Sequence, residues 1–425
     1  MKNRRIWNWW AFLGLSDEQR REKAKALEIP TDEIQPLSTD QLELVEQELR
    51  RRLGPEATMP NANQVEFSTT YFLKTLVLER CAMIGRTSFR SSHFARMAFF
   101  QSSFFEGIAD FDVAHFTSNT SFHATQFAEA ALFNGAHFAA TASFSVAQFA
   151  RRVEFQSAIF SHDTDFVATR FLDHSFFGSA GFMQSAFYNS AQFEGGSNFR
   201  FANFNSVTSF DDGRFNAQAA FGGVKFSRFV PSFFQCTMHD NTTFTLSSVY
   251  WPDVPKDKRD AESDKEAYRR LRQVSANQHN PEAEHFFLRQ EMACDAILKE
   301  DWLSRFVVRA FGVFSSYGYS VWRPIAGLLA TWGIGALLIQ IVFAWAIVYG
   351  TPPRGMTEVP GLMDALGLGL ANTFAIFGFR SYYLGEAYMI ALPVLVKLIG
   401  GVQTVLGFIF LFFLGLGLRN RFRLK

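Results

Sequence analysis

The stretch with the richest side-chain chemistry is Asn372-Thr373-Phe374-Ala375-Ile376-Phe377-Gly378-Phe379-Arg380. It closes a short apolar run, Ala365 to Phe379, with an amide, a hydroxyl, three rings, one glycine and a guanidinium. The threonine has no base beside it, so the chemistry on offer is selection and not bond-making. Backbone carbonyls can replace the water around an ion, rings can exclude water from a constriction, and a cation can repel cations. Phe377 and Phe379 are the candidates for a hydrophobic constriction, and Arg380 for a cationic outer ring. A second candidate is Gly400-Gly401, which suits either a gating hinge or close helix packing by small residues. Elsewhere there is no glycine-rich nucleotide loop, no G-x-S-x-G and no His-Glu-x-x-His, so no enzymatic activity and no cofactor are expected.

Two uncharged stretches must position these residues. Pro324 to Tyr349 and Leu398 to Leu418 each match or exceed the ~20 residues that a spanning helix needs. Ala365 to Phe379 is apolar but too short to cross, which predicts a re-entrant pore helix. Gln340, Gln403 and Thr404 are polar within the spans and should face protein or a pore. Lys397 should snorkel to the outer interface. Trp302 to Phe314, with Arg305 and Arg309, predicts a helix on the membrane surface, and Tyr317-Gly318-Tyr319 the turn that follows it. Arg305, Arg309 and Arg323 precede the first span, and Arg419, Arg421, Arg423 and Lys425 follow the second. Between the spans Arg354, Arg380 and Lys397 are balanced by Glu358, Asp364 and Glu386. The bias places both termini in the cytoplasm of a multi-pass protein of the cell (inner) membrane.

Span, short helix and span resemble the two-transmembrane ion-channel pore domain over residues 322–425. The resemblance implies a homo-oligomer, a tetramer by analogy, because two helices cannot enclose a conduit alone. A potassium filter calls for a Thr-Val-Gly-Tyr-Gly type of run. One glycine among three phenylalanines cannot reproduce that backbone, so the permeant ion stays unassigned.

The other organising feature is a column of phenylalanines. From Phe111 through Phe116, Phe122, Phe127 and Phe133 to Phe182 the steps alternate five and six, and the rhythm reaches back to Phe89. Downstream it slips once, at Phe187, Phe193 and Phe199, and resumes to Phe226. Two residues before each Phe stands a small or β-branched residue, for example Ala114, Thr120, Thr125, Ala131 or Val153. Neither column fits a helix or a flat strand, so the stretch predicts a solenoid of stacked coils.

These residues resemble the pentapeptide-repeat proteins, whose large apolar centre and small partner two residues earlier build a right-handed quadrilateral parallel β-helix. The departure is the six-residue step, which makes a coil of 22 residues and should put the spare residue at a corner. About six coils would stack over roughly 30 Å. Some members mimic DNA and bind topoisomerases, which requires an acidic surface. From Arg90 to Tyr250 there are twelve Asp/Glu and nine Lys/Arg, too even a balance for that role. The overall charge of +1 likewise gives no reason to expect a nucleic-acid partner.

The remaining segments fill in the order. The run Ile6 to Leu15, with Trp7, Trp9 and Trp10, suits either an interfacial anchor or a packed cap. Ser16/Gln19 and Ser38/Gln41 predict capping boxes for two helices, the second lined by Leu42, Val45 and Leu49 and stopped by Gly54-Pro55. Gln64 to Arg86 is expected to pair onto the first coil and cover its open end, and Trp251-Pro252 to close the other. Lys256 to Glu300 reads as two helices carrying Tyr268, Leu271 and Val274, then Phe286, Phe287, Met292 and Ile297. Three distant cysteines indicate a reducing compartment and no metal site. The solenoid histidines His93, His115, His123, His137, His162 and His174 fall at non-centre positions without metal spacing, so they read as solvated surface.

The expected domains are a helical cap (1–63), the β-helix (64–252), a helical linker with the surface helix (253–321) and the pore-like membrane domain (322–425). Two functions compete. One is an oligomeric channel-like protein whose cytoplasmic β-helix acts as sensor, spacer or platform for a protein partner or ligand. The other is a membrane-anchored scaffold that does not conduct.

Overall fold

The computed structural model describes residues 2–12, 16–26, 29–30, 34–35, 37–53, 64–348, 360–380 and 386–421. Gly54, Pro55, Arg354, Glu358, Arg423 and Lys425, used in the sequence reading, lie outside these residues. The chain forms two compact units, Met1–Glu291 and Met292–Lys425. The first holds α1 (Lys2–Ala11), α2 (Asp17–Ala26), α3 (Thr39–Leu53), a four-sided solenoid of short parallel strands, and α4 (Lys258–Asn277). Helix α5 (Pro281–Leu298) begins in it. The second holds α6 (Trp302–Ser315), α7 (Trp322–Val348), α8 (Leu362–Thr373), α9 (Glu386–Ala391) and α10 (Val394–Arg421).

The solenoid has sheets of nine, eight, seven and seven strands, about eight turns. Each coil is 22 residues, as His115 paired with His137 and Phe116 with Phe138 show. The spare residue does lie at a corner. In a five-residue step the corner is a tight turn: the Phe111 carbonyl accepts from the Ala114 N–H at 3.1 Å, and Val113 between them has φ of 58°. That is the hydrogen bond and left-handed third residue of a type II turn. The six-residue steps use a three-residue corner, such as Thr117-Ser118-Asn119, without a left-handed residue.

The residue two before each Phe is small because it sits fully buried beside a ring, as Ala114, Ala136 and Ala147 do. Where it is Thr, the hydroxyl is satisfied inside: Thr125 and Thr169 donate to the carbonyls of Phe100 and Phe144 at 2.7 Å. Each ring stacks on the one 22 residues away, Phe111 on Phe133 at 5.0 Å and 2°. Each also meets its neighbour across the coil edge-on, Phe133 against Phe144 at 5.4 Å and 86°. Burying each ring contributes about 1.5–3 kcal/mol, and each well-placed aromatic pair about 0.5–1.5 kcal/mol more.

The expected slip at Phe187 does not occur. Tyr188 takes the ladder place, stacked on Phe166 and Phe210 at 4.8 Å each, while Phe187 points outward and only half-buried. The aromatic shape was kept and only the letter changed. Tyr188 is fully buried, and its hydroxyl has no hydrogen-bond partner among the described residues. Burial pushes the phenol well above its ordinary range. Tyr188→Phe should therefore raise stability by about 1–2 kcal/mol, because an orphaned buried hydroxyl is removed without changing the ring. A chemical-denaturation midpoint that falls would show that the hydroxyl is satisfied.

The expected pairing of the Gln64 to Arg86 segment onto the next coil is seen, but its role as the end cover is corrected. Gln64 to Gly85 is the first coil itself: Phe67 and Phe72 stack on Phe89 and Phe94, and Leu78 and Met83 hold the next two ladder places. The bare edge below it is covered by α1. Asn8 accepts from the Ala82 N–H at 3.0 Å and donates to the Arg80 carbonyl at 3.1 Å, so its amide imitates a neighbouring strand. Trp7 donates to the Ala82 carbonyl, and Trp9, Trp10 and Phe12 are buried with Val65 and Ala82. The packed cap, and not the interfacial anchor, accounts for these tryptophans. Both capping boxes form, Ser16 with Gln19 and Ser38 with Gln41.

At the other end the rhythm absorbs one inserted residue after Phe226. Phe233 stacks on Phe210 and Phe244 on Phe221. Trp251 then plugs the coil, touching Phe226, Tyr268, Phe286 and Phe287 at ring distances of 5.1–6.1 Å. Tyr268, Leu271, Phe286 and Phe287 are buried as the two predicted stripes require.

On one face of the solenoid His93, His115 and His137 form a column. They occupy the same place on three successive hydrogen-bonded strands.

Candidate functional site

Helices α7 and α10 are long and apolar enough to cross a membrane, with mean hydropathies of 2.0 and 2.1 over an 18-residue stretch within Trp322–Trp345 and Val394–Arg421. They run antiparallel. Glycines set the contacts: a Cβ on Gly417 would meet the Ser320 carbonyl, one on Gly327 the Phe410 ring, and one on Gly335 the Gln403 amide. The start of α7 therefore lies beside the end of α10. There Asn420 donates to the Gly318 carbonyl at 2.8 Å, and Arg323 donates to the carbonyls of Gly312 and Val313 at the end of α6. Tyr317-Gly318-Tyr319 is thus the turn between α6 and α7.

Helix α8 packs on both long helices. At its start Ala365 and Leu368 are buried with Ile339, Phe343, Leu392 and Val396. Further along, Gly369 meets Ala336, and at its end Thr373 meets Gly407. Trp332 of α7 pins it, donating to the Leu366 carbonyl at 3.0 Å. The last turn of α8 lies level with Thr331 and Gln403, near the middle of both long helices. The chain then makes one 3-10 turn, Ala375–Phe377, and reverses at Gly378. Gly378 has φ of 74°, a conformation a side chain disfavours, and this reversal brings Arg380 back to the helix end.

The result is a polar cluster inside an apolar bundle. Arg380 donates from Nε to Asn372 Oδ1 at 2.7 Å and from Nη2 to the Gly400 carbonyl at 3.0 Å and to the Thr404 hydroxyl. Asn372 Nδ2 donates to Gln403 Oε1 at 3.1 Å, and Gln403 Nε2 to the Thr331 carbonyl at 3.1 Å. The Thr373 hydroxyl donates to the Gly369 carbonyl at 2.9 Å. The guanidinium stands at the C-terminal end of α8, where the helix dipole favours a cation.

The candidate residues therefore divide. Asn372, Arg380 and Gly400 come together, with Thr373 buried beside them. Arg380 turns inward on one chain and does not project as an outer ring. Phe374 and Ala375 are half-buried, and Phe377 lies between the Phe374 and Phe379 rings at 6.3 and 5.9 Å. Ile376 and Phe377 are 63% and 62% exposed, the most accessible side chains of the run. Gly400 is a close-packing position, since a Cβ there would stand 2.8 Å from Asn372 Nδ2. Gly401 faces open space, and α10 is helical through both. Gln403 and Thr404 do face protein. Thr331 is the member of the cluster that sequence reasoning missed; it takes part through its main-chain carbonyl, which no residue type in the sequence marks. Gln340 Oε1 is buried without a partner among the described residues.

Comparisons with protein-family models, curated proteins and solved structures returned no match.

Proposed function

We propose that this is an oligomeric, channel-like membrane protein. In this reading α7 and α10 cross the bilayer of the cell membrane, α8 is re-entrant, and both termini lie in the cytoplasm. The solenoid works there as a sensor, spacer or partner platform. The observation that supports it is the α8 reversal. A short helix ends midway along an antiparallel pair and presents a glycine-turned segment with two exposed hydrophobic side chains, Ile376 and Phe377. Anchoring alone needs no such excursion, and an ionisable side chain at this depth is costly unless it serves a purpose. Copies of the chain around an axis would bring the Phe377 rings together as a water-excluding constriction.

A second reading, the non-conducting anchor for a solenoid scaffold, is favoured by one feature. Arg380 has three acceptors within its own chain, so the cluster is complete without a partner.

Recordings of purified protein in lipid bilayers separate the two. The wild type should conduct poorly, and Phe377→Ser should raise conductance by wetting the constriction. Phe377 is exposed on the single chain, so the variant should fold. If both assemble normally and neither passes current under any voltage or salt gradient, the channel is refuted and the anchor stands.

A further inference from the structure

We propose that His115, paired with either His93 or His137, holds one divalent transition-metal ion on the face of the solenoid. Each immediately precedes a ladder phenylalanine, and each is hydrogen-bonded in register to the next strand. The ring centroids are 6.1 Å apart for His93 and His115, and 6.0 Å for His115 and His137. Two imidazoles on one zinc ion, at Zn–N of about 2.0–2.1 Å, have centroids roughly 5 to 6.5 Å apart as the angle at the metal opens. The coil rise has thus already set the spacing of a two-imidazole site. What is needed is rotation of the rings: as the side chains stand, no three His, Cys, Asp or Glu groups converge on one point among the described residues.

The surroundings select the kind of ion. The groups that act on His115 are its neighbours His137 and His93. No carboxylate enters the charges that act on it. A site of imidazoles without carboxylates suits zinc, nickel or copper and not calcium or magnesium. Around the three rings lie Tyr71, which extends the column at 5.4 Å from His93, and Ser161, whose hydroxyl is 3.1 Å from His137 Nε2. That second contact can orient a ligating ring through its other nitrogen. His115 is exposed and the other two half-buried, so an ion can reach them.

The arrangement makes His115 the shared member. Without it, His93 and His137 stand two strand spacings apart, about 9.6 Å, too far to hold one ion. The test is calorimetric titration of the full-length chain in detergent with zinc and with nickel. The wild type should take up one ion per chain. His115→Ala should weaken binding by about tenfold or more, since a single imidazole remains for any ion. His93→Ala and His137→Ala should each keep a weaker pairwise site. His123→Ala, whose ring bonds to Ser145 off this column, should behave as wild type. Zinc should raise the melting temperature of the wild type and not of His115→Ala. Should His115→Ala fail to fold in metal-free melts, the double variant His93→Ala/His137→Ala, which leaves His115 alone, must lose binding instead. No uptake by the wild type, or equal uptake by the variants that break the column, overturns the site.

Discussion

Phe144→Asp should unfold the middle of the solenoid, whereas Gln148→Asp, one place off the ladder, should leave it standing. Phe144 is fully buried, stacked on Phe122 and Phe166 at 5.0 Å each and edge-on to Phe133 and Phe155 at 5.4 and 5.2 Å. Losing the ring alone costs about 3–5 kcal/mol by the usual large-to-small scale. The carboxylate adds several kcal/mol, because it enters an aromatic stack that offers no cation. Together these approach the ~5–15 kcal/mol that holds an ordinary domain. Coils touch only their neighbours, so damage in mid-stack separates the two halves. Gln148 sits on the outer side, between Gln126 and Arg170 on the adjacent strands. Its change should stay within about 0.5 kcal/mol. Denaturation followed by circular dichroism measures both. Equal losses would mean that the ladder register is wrong.

The second large effect is expected from one methyl group in the helical unit. Gly407→Ala would place a Cβ 2.1 Å from the Thr373 carbonyl oxygen and 2.9 Å from its carbon. Both are backbone atoms at the end of α8, so no rotamer change can relieve the clash and α8 must back away. Overpacking of this kind costs about 1–3 kcal/mol or more. Displacing α8 also strains the Asn372–Gln403 and Arg380–Gly400 hydrogen bonds, which raises the loss toward the upper end. Gly401→Ala is the matched control, since nothing lies within 4 Å of its Cβ position. There alanine should stabilise the helix by up to about 1 kcal/mol. Thermal melts in detergent should order the three proteins as Gly401→Ala, wild type, Gly407→Ala. A Gly407→Ala melt at the wild-type temperature would show that α8 does not pack at this depth. If Gly401 serves as a gating hinge, its variant will alter opening in bilayers while its stability holds.

The amino-acid sequence by itself determined whatever repeats or follows from near neighbours. Alternating steps of five and six dictate a 22-residue coil, because a ladder ring must meet its copy one strand spacing away and the spare residue has only the corner to go to. The small residues beneath the rings follow from the same lack of room, the capping boxes from spacing of three, and the two long apolar helices from composition. What the sequence concealed is of two kinds. Some places are held by a substitute of similar shape, such as Tyr188, Leu78 or Met83, and a search for phenylalanine passes over them. Others depend on residues far apart along the chain. Asn8 reaches the edge at Ala82, the three histidines align only when the chain is cut into coils, and Thr331, Asn372, Arg380, Gly400 and Gln403 meet only when α8 is seated. The polar run 372–380 was legible as a candidate site, but its direction was not. Whether Arg380 points out or back is decided by the left-handed turn at Gly378 and by acceptors on α10, and tertiary packing alone brings those together.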